Sequence, residues 1–63
     1  MELIKSETFK NGLGFISIQM SNGFVVEVIR TVDGRPSMVK RMKTKKQEKA
    51  ETMYSEFMNK YKN

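Results

Sequence analysis

Cysteine and histidine are both absent from the 63 residues. Their absence excludes disulfide staples and any metal site built from thiolates or imidazoles. It also narrows catalysis, because a nucleophile would have to be Ser, Thr, Tyr or Lys, with a carboxylate or an amine as its base. The seven acids are scattered along the chain and form no such constellation. No apolar run approaches the roughly 18 residues of a membrane span. The N-terminus, Met1-Glu2-Leu3-Ile4-Lys5-Ser6, lacks the hydrophobic segment of a signal peptide. Nor is there a glycine-rich phosphate loop, since Gly12, Gly14, Gly23 and Gly34 each have a turn role. The chain therefore reads as a soluble, cytoplasmic, non-enzymatic protein, complete from its initiating methionine, with no cofactor, metal, small-molecule substrate or membrane partner.

What is present is a regular series of turn signals. Asn11-Gly12, Asn22-Gly23 and Asp33-Gly34 recur every eleven residues between apolar runs. Such dipeptides mark hairpins because a type I′ turn needs positive φ at both central residues. They predict strands at about 3–10, 13–21, 24–32 and 36–42, joined as an antiparallel meander. The period then changes. Ala50, Met53, Tyr54, Phe57, Met58 and Tyr61 follow the i, i+3, i+4 spacing of an amphipathic helix over about 44–61. Thr44 with Gln47 has the form of a capping box at its start. The expected fold is α+β: one domain, 1–63, with three to four antiparallel strands packed against a single C-terminal helix. The six methionines read as adaptable core filler. A chain of this length buries only about 60% of its unfolded surface, so a homodimer is the expected supplement to the core.

Two-residue closure at Asn22-Gly23 sets Met20 across from Val25, Ile18 across from Glu27 and Ile16 across from Ile29. The same closure at Asp33-Gly34 sets Met38 beside Ile29, Met42 beside Val25 and Lys40 across from Glu27, an opposite-charge pair. Both turns thus predict one apolar face for the helix to cover. The other face receives Phe15, Phe24, Val26, Val28, Val32 and Val39 with Ser17, Gln19, Arg30 and Arg41. It is too apolar to be left wholly to water and too polar for an ordinary core, so it calls for a partner surface. The first strand admits more than one loop length at Asn11-Gly12-Leu13-Gly14, and a one-residue change exchanges its two faces.

Charge is the remaining signal. Between Arg30 and Lys49 lie Arg30, Arg35, Lys40, Arg41, Lys43, Lys45, Lys46 and Lys49, against only Asp33 and Glu48. That local excess of six is larger than the net +5 of the whole chain. The cluster ends where the helix begins, at the positive end of the helix dipole, where a cation is unfavourable by about 0.3–1 kcal/mol. A pattern that opposes local stability points to a polyanionic partner. Lysines on an edge strand also discourage edge-to-edge pairing, which needs no ligand at all. In the ligand reading Arg30 and Arg41 project beside Phe15 and Phe24. Arg35, Lys43, Lys45, Lys46 and Lys49 rim the sheet end nearest the helix start. Cations tracking phosphates beside rings that stack bases are how single-stranded nucleic acid is held. The alternative is a protein-binding module whose basic patch docks on an acidic surface, with Phe15 and Phe24 as interface residues.

Two resemblances bear on that choice. Phe15-Ile16-Ser17-Ile18 through Asn22-Gly23, then Val26-Glu27-Val28-Ile29-Arg30, resembles the central hairpin of the PC4-type family of single-stranded-DNA-binding transcriptional cofactors. The likeness covers about a third of the chain. It implies a dimeric, four-stranded meander with a C-terminal helix that binds single-stranded DNA. Met42-Lys43-Thr44-Lys45-Lys46-Gln47 departs from that family, which carries a Gly-Ile/Val-x-Leu segment before its helix. Thr44-Lys45-Lys46 followed by Ala50 is similar to the helix start of small strand-strand-strand-helix proteins of Gram-positive bacteria and their phages. Some of those bind and inhibit host enzymes, which is the function that likeness implies.

Overall fold

Turn chemistry decides the architecture, and a computed structural model describes it for residues 3–62. Met1, Glu2 and Asn63, the ends of the expected 1–63 domain, lie outside the described residues. Four strands, β1 (Leu3–Asn11), β2 (Gly14–Ser21), β3 (Val25–Val32) and β4 (Arg35–Lys43), form an antiparallel sheet in the order β1-β2-β3-β4. One helix, α1 (Gln47–Lys62), packs across a single face of it. The fold is the expected α+β meander with a C-terminal helix, and its thinnest dimension is 15 Å.

The three turns close in three different ways. Asn11 pairs with Gly14, so the first loop is Gly12-Leu13, with Gly12 at φ 61° as the first central position of a type II′ turn requires. Asp33 at φ 53° and Gly34 at φ 74° make the expected two-residue turn with positive φ at both positions. The middle turn is longer. Ser21 pairs with Val25, leaving Asn22, Gly23 and Phe24 in the loop. Gly23 sits at φ 91° and Phe24 at φ 59°, closed by the Phe24 N–H donating to the Ser21 carbonyl at 3.1 Å.

That one additional loop residue moves β3 by one position against β2, and a one-residue shift exchanges every side chain between faces. Ile16, Ile18 and Met20 stay on the helix side as expected, but their partners are Arg30, Val28 and Val26. Val26 and Val28, expected on the outer face, are fully buried under α1 with Ala50, Tyr54 and Phe57. Val32, expected beside them on the outer face, has the same parity and likewise belongs to the helix side. Glu27 and Ile29 take the outer face instead. Val25 is buried but stands outside that cluster. The shift removes the need to place the Glu27 carboxylate under the helix, where an ion without a close partner is heavily penalised.

A second irregularity lies in β4. Ile29 pairs with Met38 as the Asp33-Gly34 turn demands, but Val28 pairs with Lys40, so Val39 is the additional residue of a β-bulge. Beyond it Glu27 faces Arg41, not Lys40, and Arg41 Nε lies 3.4 Å from Glu27 Oε2. Met42 keeps its helix-side place with Val26 as neighbour, whereas Met38 turns to the outer face with Ile29. In β1, a bulge between Leu3 and Lys5 is followed by regular pairing that puts Lys5, Glu7 and Phe9 on the helix side.

The helix forms on the predicted stripe. Ala50, Tyr54 and Phe57 are buried, Met53, Met58 and Tyr61 pack around them, and the Phe57 and Tyr61 rings lie 6.5 Å apart at 58°. Its start differs from the expected capping box. The Thr44 N–H donates to the Phe24 carbonyl at 3.2 Å, which keeps Thr44 tied to the sheet, and its hydroxyl accepts the Lys46 N–H at 3.3 Å. Lys46 is the cap: its carbonyl accepts the Ala50 N–H at 3.1 Å. At the far end Asn11 Nδ2 donates to the Tyr61 carbonyl at 2.6 Å and fastens the helix to β1.

Candidate functional site

The expected basic cluster divides by strand geometry. On β4, Arg35 pairs with Val32 and Lys40 with Val28, which places both on the helix side. Arg41 pairs with Glu27 and Lys43 with Val25, which places both on the outer face. Lys45 and Lys46 occupy the connection to α1, and Lys49 stands in its first turn. Arg35 does not join the rim at the helix start: it begins β4 beside the Asp33-Gly34 turn, eight residue steps or about 26 Å along the strand from Lys43. Arg30 pairs with Ile16 and Ser37 on the helix side, so Arg30 and Arg41 face opposite directions and do not share a surface.

The two rings separate as well. Phe15 stands on the outer face as expected, 51% exposed, between Lys10 and Thr31. Phe24 packs, partly buried, against the hydrophobic core from the middle turn and lies apart from Phe15. The outer face thus carries one accessible aromatic, followed along its strands by Ser17, Ile29 and Met38 and then by Gln19, Glu27 and Arg41. Thr8 Oγ1 donates to Ser17 Oγ at 3.2 Å within this face.

Exposure and charge coincide on β4. All nine of its residues are exposed, because α1 lies mainly over β1, β2 and β3 and reaches the last strand only where Phe57 stands near Lys40. β2 carries no charged residue, β3 has one acid and one base, and α1 balances Glu48, Glu51 and Glu56 against Lys49, Lys60 and Lys62. β1 holds Lys5 and Lys10 against Glu7. β4 has Arg35, Lys40, Arg41 and Lys43 with no acid, and Lys45 and Lys46 follow directly. The positive charge of the molecule is therefore gathered along one edge and the corner where that edge meets the helix. Among the described residues the ion pairs are Lys5–Glu51 at 3.3 Å and Arg41–Glu27. They leave Lys40, Lys43, Lys45, Lys46 and Lys49 without an acidic partner.

Lys40 and Lys10 gain a place that sequence reasoning did not give them. Lys40, expected to be absorbed by Glu27, is released by the bulge and holds its ammonium 6.0 Å from the Phe57 ring centre. Lys10, adjacent to Phe15, lies outside the stretch of dense charge and was invisible until β1 was paired. A separate cleft between β1 and α1, lined by Lys5, Glu7, Tyr54 and Met58, holds no comparable charge excess. There Lys5 sits 4.6 Å from the Tyr54 ring centre, and burial, aided by the Glu7 carboxylate, pushes the Tyr54 phenol above its ordinary value.

Comparison of the chain with known protein families, with curated proteins and with solved structures finds no match. Among the described residues no helix is long and apolar enough to cross a membrane. The charged β4 edge is thus the feature from which function has to be argued.

Proposed function

We propose that this protein binds nucleic acid through its β4 edge and the adjoining corner, without catalysing a reaction on it. The observation that carries this reading is that every residue of β4 is exposed while the strand carries four cations and no acid of its own. Lysine and arginine side chains on an exposed edge meet phosphates, which supply affinity and register but little sequence information. Low sequence specificity and a steep dependence on salt follow. A cytoplasmic setting fits a chain without cysteine. Fluorescence anisotropy with a labelled oligonucleotide tests it. Engaging about four phosphates of a single strand gives roughly 50-fold weaker binding at 200 mM than at 50 mM salt. Reversing Lys43, Lys45 and Lys46 to glutamate abolishes binding if the corner takes part. Unchanged affinity in that variant refutes the reading.

A second reading rests on Met38, Val39 and Met42, which are exposed along the same strand. Apolar side chains between cations suit an acidic protein surface better than a phosphate backbone. A nuclease-treated lysate that yields no stoichiometric partner counts against it. In either case a homodimer would form through β1. Self-pairing of β4 would bring cations against cations, whereas β1 carries nearly balanced charge and no proline. Sedimentation at twice the 7.4 kDa chain mass is the expected result.

A further inference from the structure

Phosphate-binding strands on an open sheet normally gather their cations on one face, since a single strand lies across that face with its bases stacked on rings. Here the cations do not share a face. The middle-turn shift turns Arg35 to the helix side, and the Val39 bulge cancels that shift further along, leaving Lys40 on the helix side and Arg41 and Lys43 on the outer side. The outer face offers one exposed ring, Phe15, which stands two strands from β4, or about 10 Å away at ordinary strand spacing. The geometry is that of a blade with charge on both flanks, not of a platform.

Resting on the nucleic-acid reading above, we propose that the ligand is double-stranded DNA, with the β4 edge seated in the major groove and its two faces turned to the two phosphate rows that border it. The dimensions agree. The B-DNA major groove is about 12 Å wide and about 8.5 Å deep and admits a two-stranded β-ribbon. β3 is held between β2 and β4 and lies under α1, so β4 alone, narrower than such a ribbon and exposed along its whole length, is the part of the sheet that enters the groove. Arg35 and Lys40 reach one phosphate row while Arg41 and Lys43 reach the other. Lys45, Lys46 and Lys49 then extend the contact past the strand end. Between its cations β4 contains Pro36, Ser37, Met38, Val39 and Met42 and no Asn or Gln to read adenine, so its contacts with DNA fall to the same Arg and Lys side chains that meet phosphates. Double-stranded RNA is a poorer fit, because its major groove is deep and narrow.

The test uses the full chain and three labelled ligands of matched sequence: a DNA duplex of about 20 base pairs, its single strand, and an RNA duplex. Two double variants divide the blade by face, Arg35→Glu with Lys40→Glu and Arg41→Glu with Lys43→Glu. Methionine versions of each pair and circular dichroism guard against loss of fold. The expected result is tightest binding to the DNA duplex, falling at least tenfold in both double variants. About 150-fold is lost between 50 and 200 mM salt if four phosphates of the duplex are engaged. Tighter binding to the single strand, with the Arg35/Lys40 pair dispensable, overturns the groove assignment but leaves nucleic-acid binding standing. Preference for the RNA duplex also overturns it. Failure to bind any of the three at 50 mM salt removes the nucleic-acid reading itself.

Discussion

Val28 and Ile29 are consecutive β-branched residues on opposite faces of β3, and replacing each by threonine tests the register directly. Val28 is 0% exposed beneath Ala50, Tyr54 and Phe57, while Ile29 lies on the outer face opposite Ser17 and Met38. Threonine keeps the β-branch and the strand preference in both places. Val28→Thr therefore changes shape little but places a hydroxyl in an apolar core, which costs about 1–3 kcal/mol by comparison with protein mutational data. Ile29→Thr loses partly solvated surface and costs about 1 kcal/mol or less. A domain of this size holds only about 3–5 kcal/mol in total from a single core, so the first change removes a large share of its stability. For a chain of 60–100 residues each 1 kcal/mol lowers the melting temperature by about 4–8 °C. Val28→Thr is then expected to melt about 5–20 °C below the parent and Ile29→Thr only slightly below it, followed by circular dichroism with urea unfolding as a second measure. A two-residue loop at Asn22-Gly23 would put Ile29 under the helix and Val28 outside. Equal losses, or a larger loss for Ile29→Thr, would refute the three-residue loop and with it the assignment of every β3 and β4 side chain to its face.

Other consequences are open to similar measurement. Gly14→Ala is expected to destabilise strongly, because an added Cβ would run into the Thr31 carbonyl oxygen, which cannot swing aside as a side chain would; near-parental urea unfolding would contradict that packing. Arg41→Ala, though it breaks the contact with Glu27, is expected to cost no more than about 1 kcal/mol since the arginine is largely exposed, while weakening DNA binding measured by anisotropy. Tyr54 links stability to alkaline pH. Its folded-state phenol is raised above the ordinary value of 10.0, chiefly by burial, so the native state keeps a proton that the unfolded chain gives up first. The stabilisation is complete below pH 10 and is lost as pH rises from there through the folded value. Thermal melts between pH 8 and 11.5 should show that decline. Glu7→Gln should reduce it only in part, because the carboxylate is the lesser cause.

The meander and its helix are legible in the turn dipeptides and in the spacing of Ala50, Tyr54 and Phe57. The faces of β3 are not, and the reason lies in Val25-Val26-Glu27-Val28-Ile29. Both alternations through that segment are apolar, so period-two patterning does not choose between them. Glu27 is the discriminating residue, and supplying it with Lys40 as a neighbour hid the discrimination. A carboxylate under an apolar helix should have outweighed the preference of Asn-Gly for a two-residue loop. Phe24 in a left-handed conformation has no local signal, since a bulky residue rarely takes positive φ. The Val39 bulge is equally silent. Of the candidate site, the charge cluster and the exposure of Phe15 were readable from sequence. That Arg30 and Arg41 face apart, that Phe24 packs against the core from the turn and that Arg35 lies at the far end of β4 all depended on register.

Because β4 contributes no side chain to the buried cluster, it is held by its ladder to β3, by the Thr44–Phe24 bond that follows it and by exposed side-chain contacts: Arg41 with Glu27, Ser37 with the Arg30 carbonyl and Lys40 beside the Phe57 ring. Such an edge can detach while β2, β3 and α1 remain assembled, at a free energy well below that of global unfolding. In amide hydrogen exchange the β4 protons should therefore be the first of the sheet to be lost, and those of β2 the last. A ligand clamped on both sides of β4 would close that gap. Binding would then register as slowed exchange in a strand whose unliganded state is the most readily opened part of the sheet.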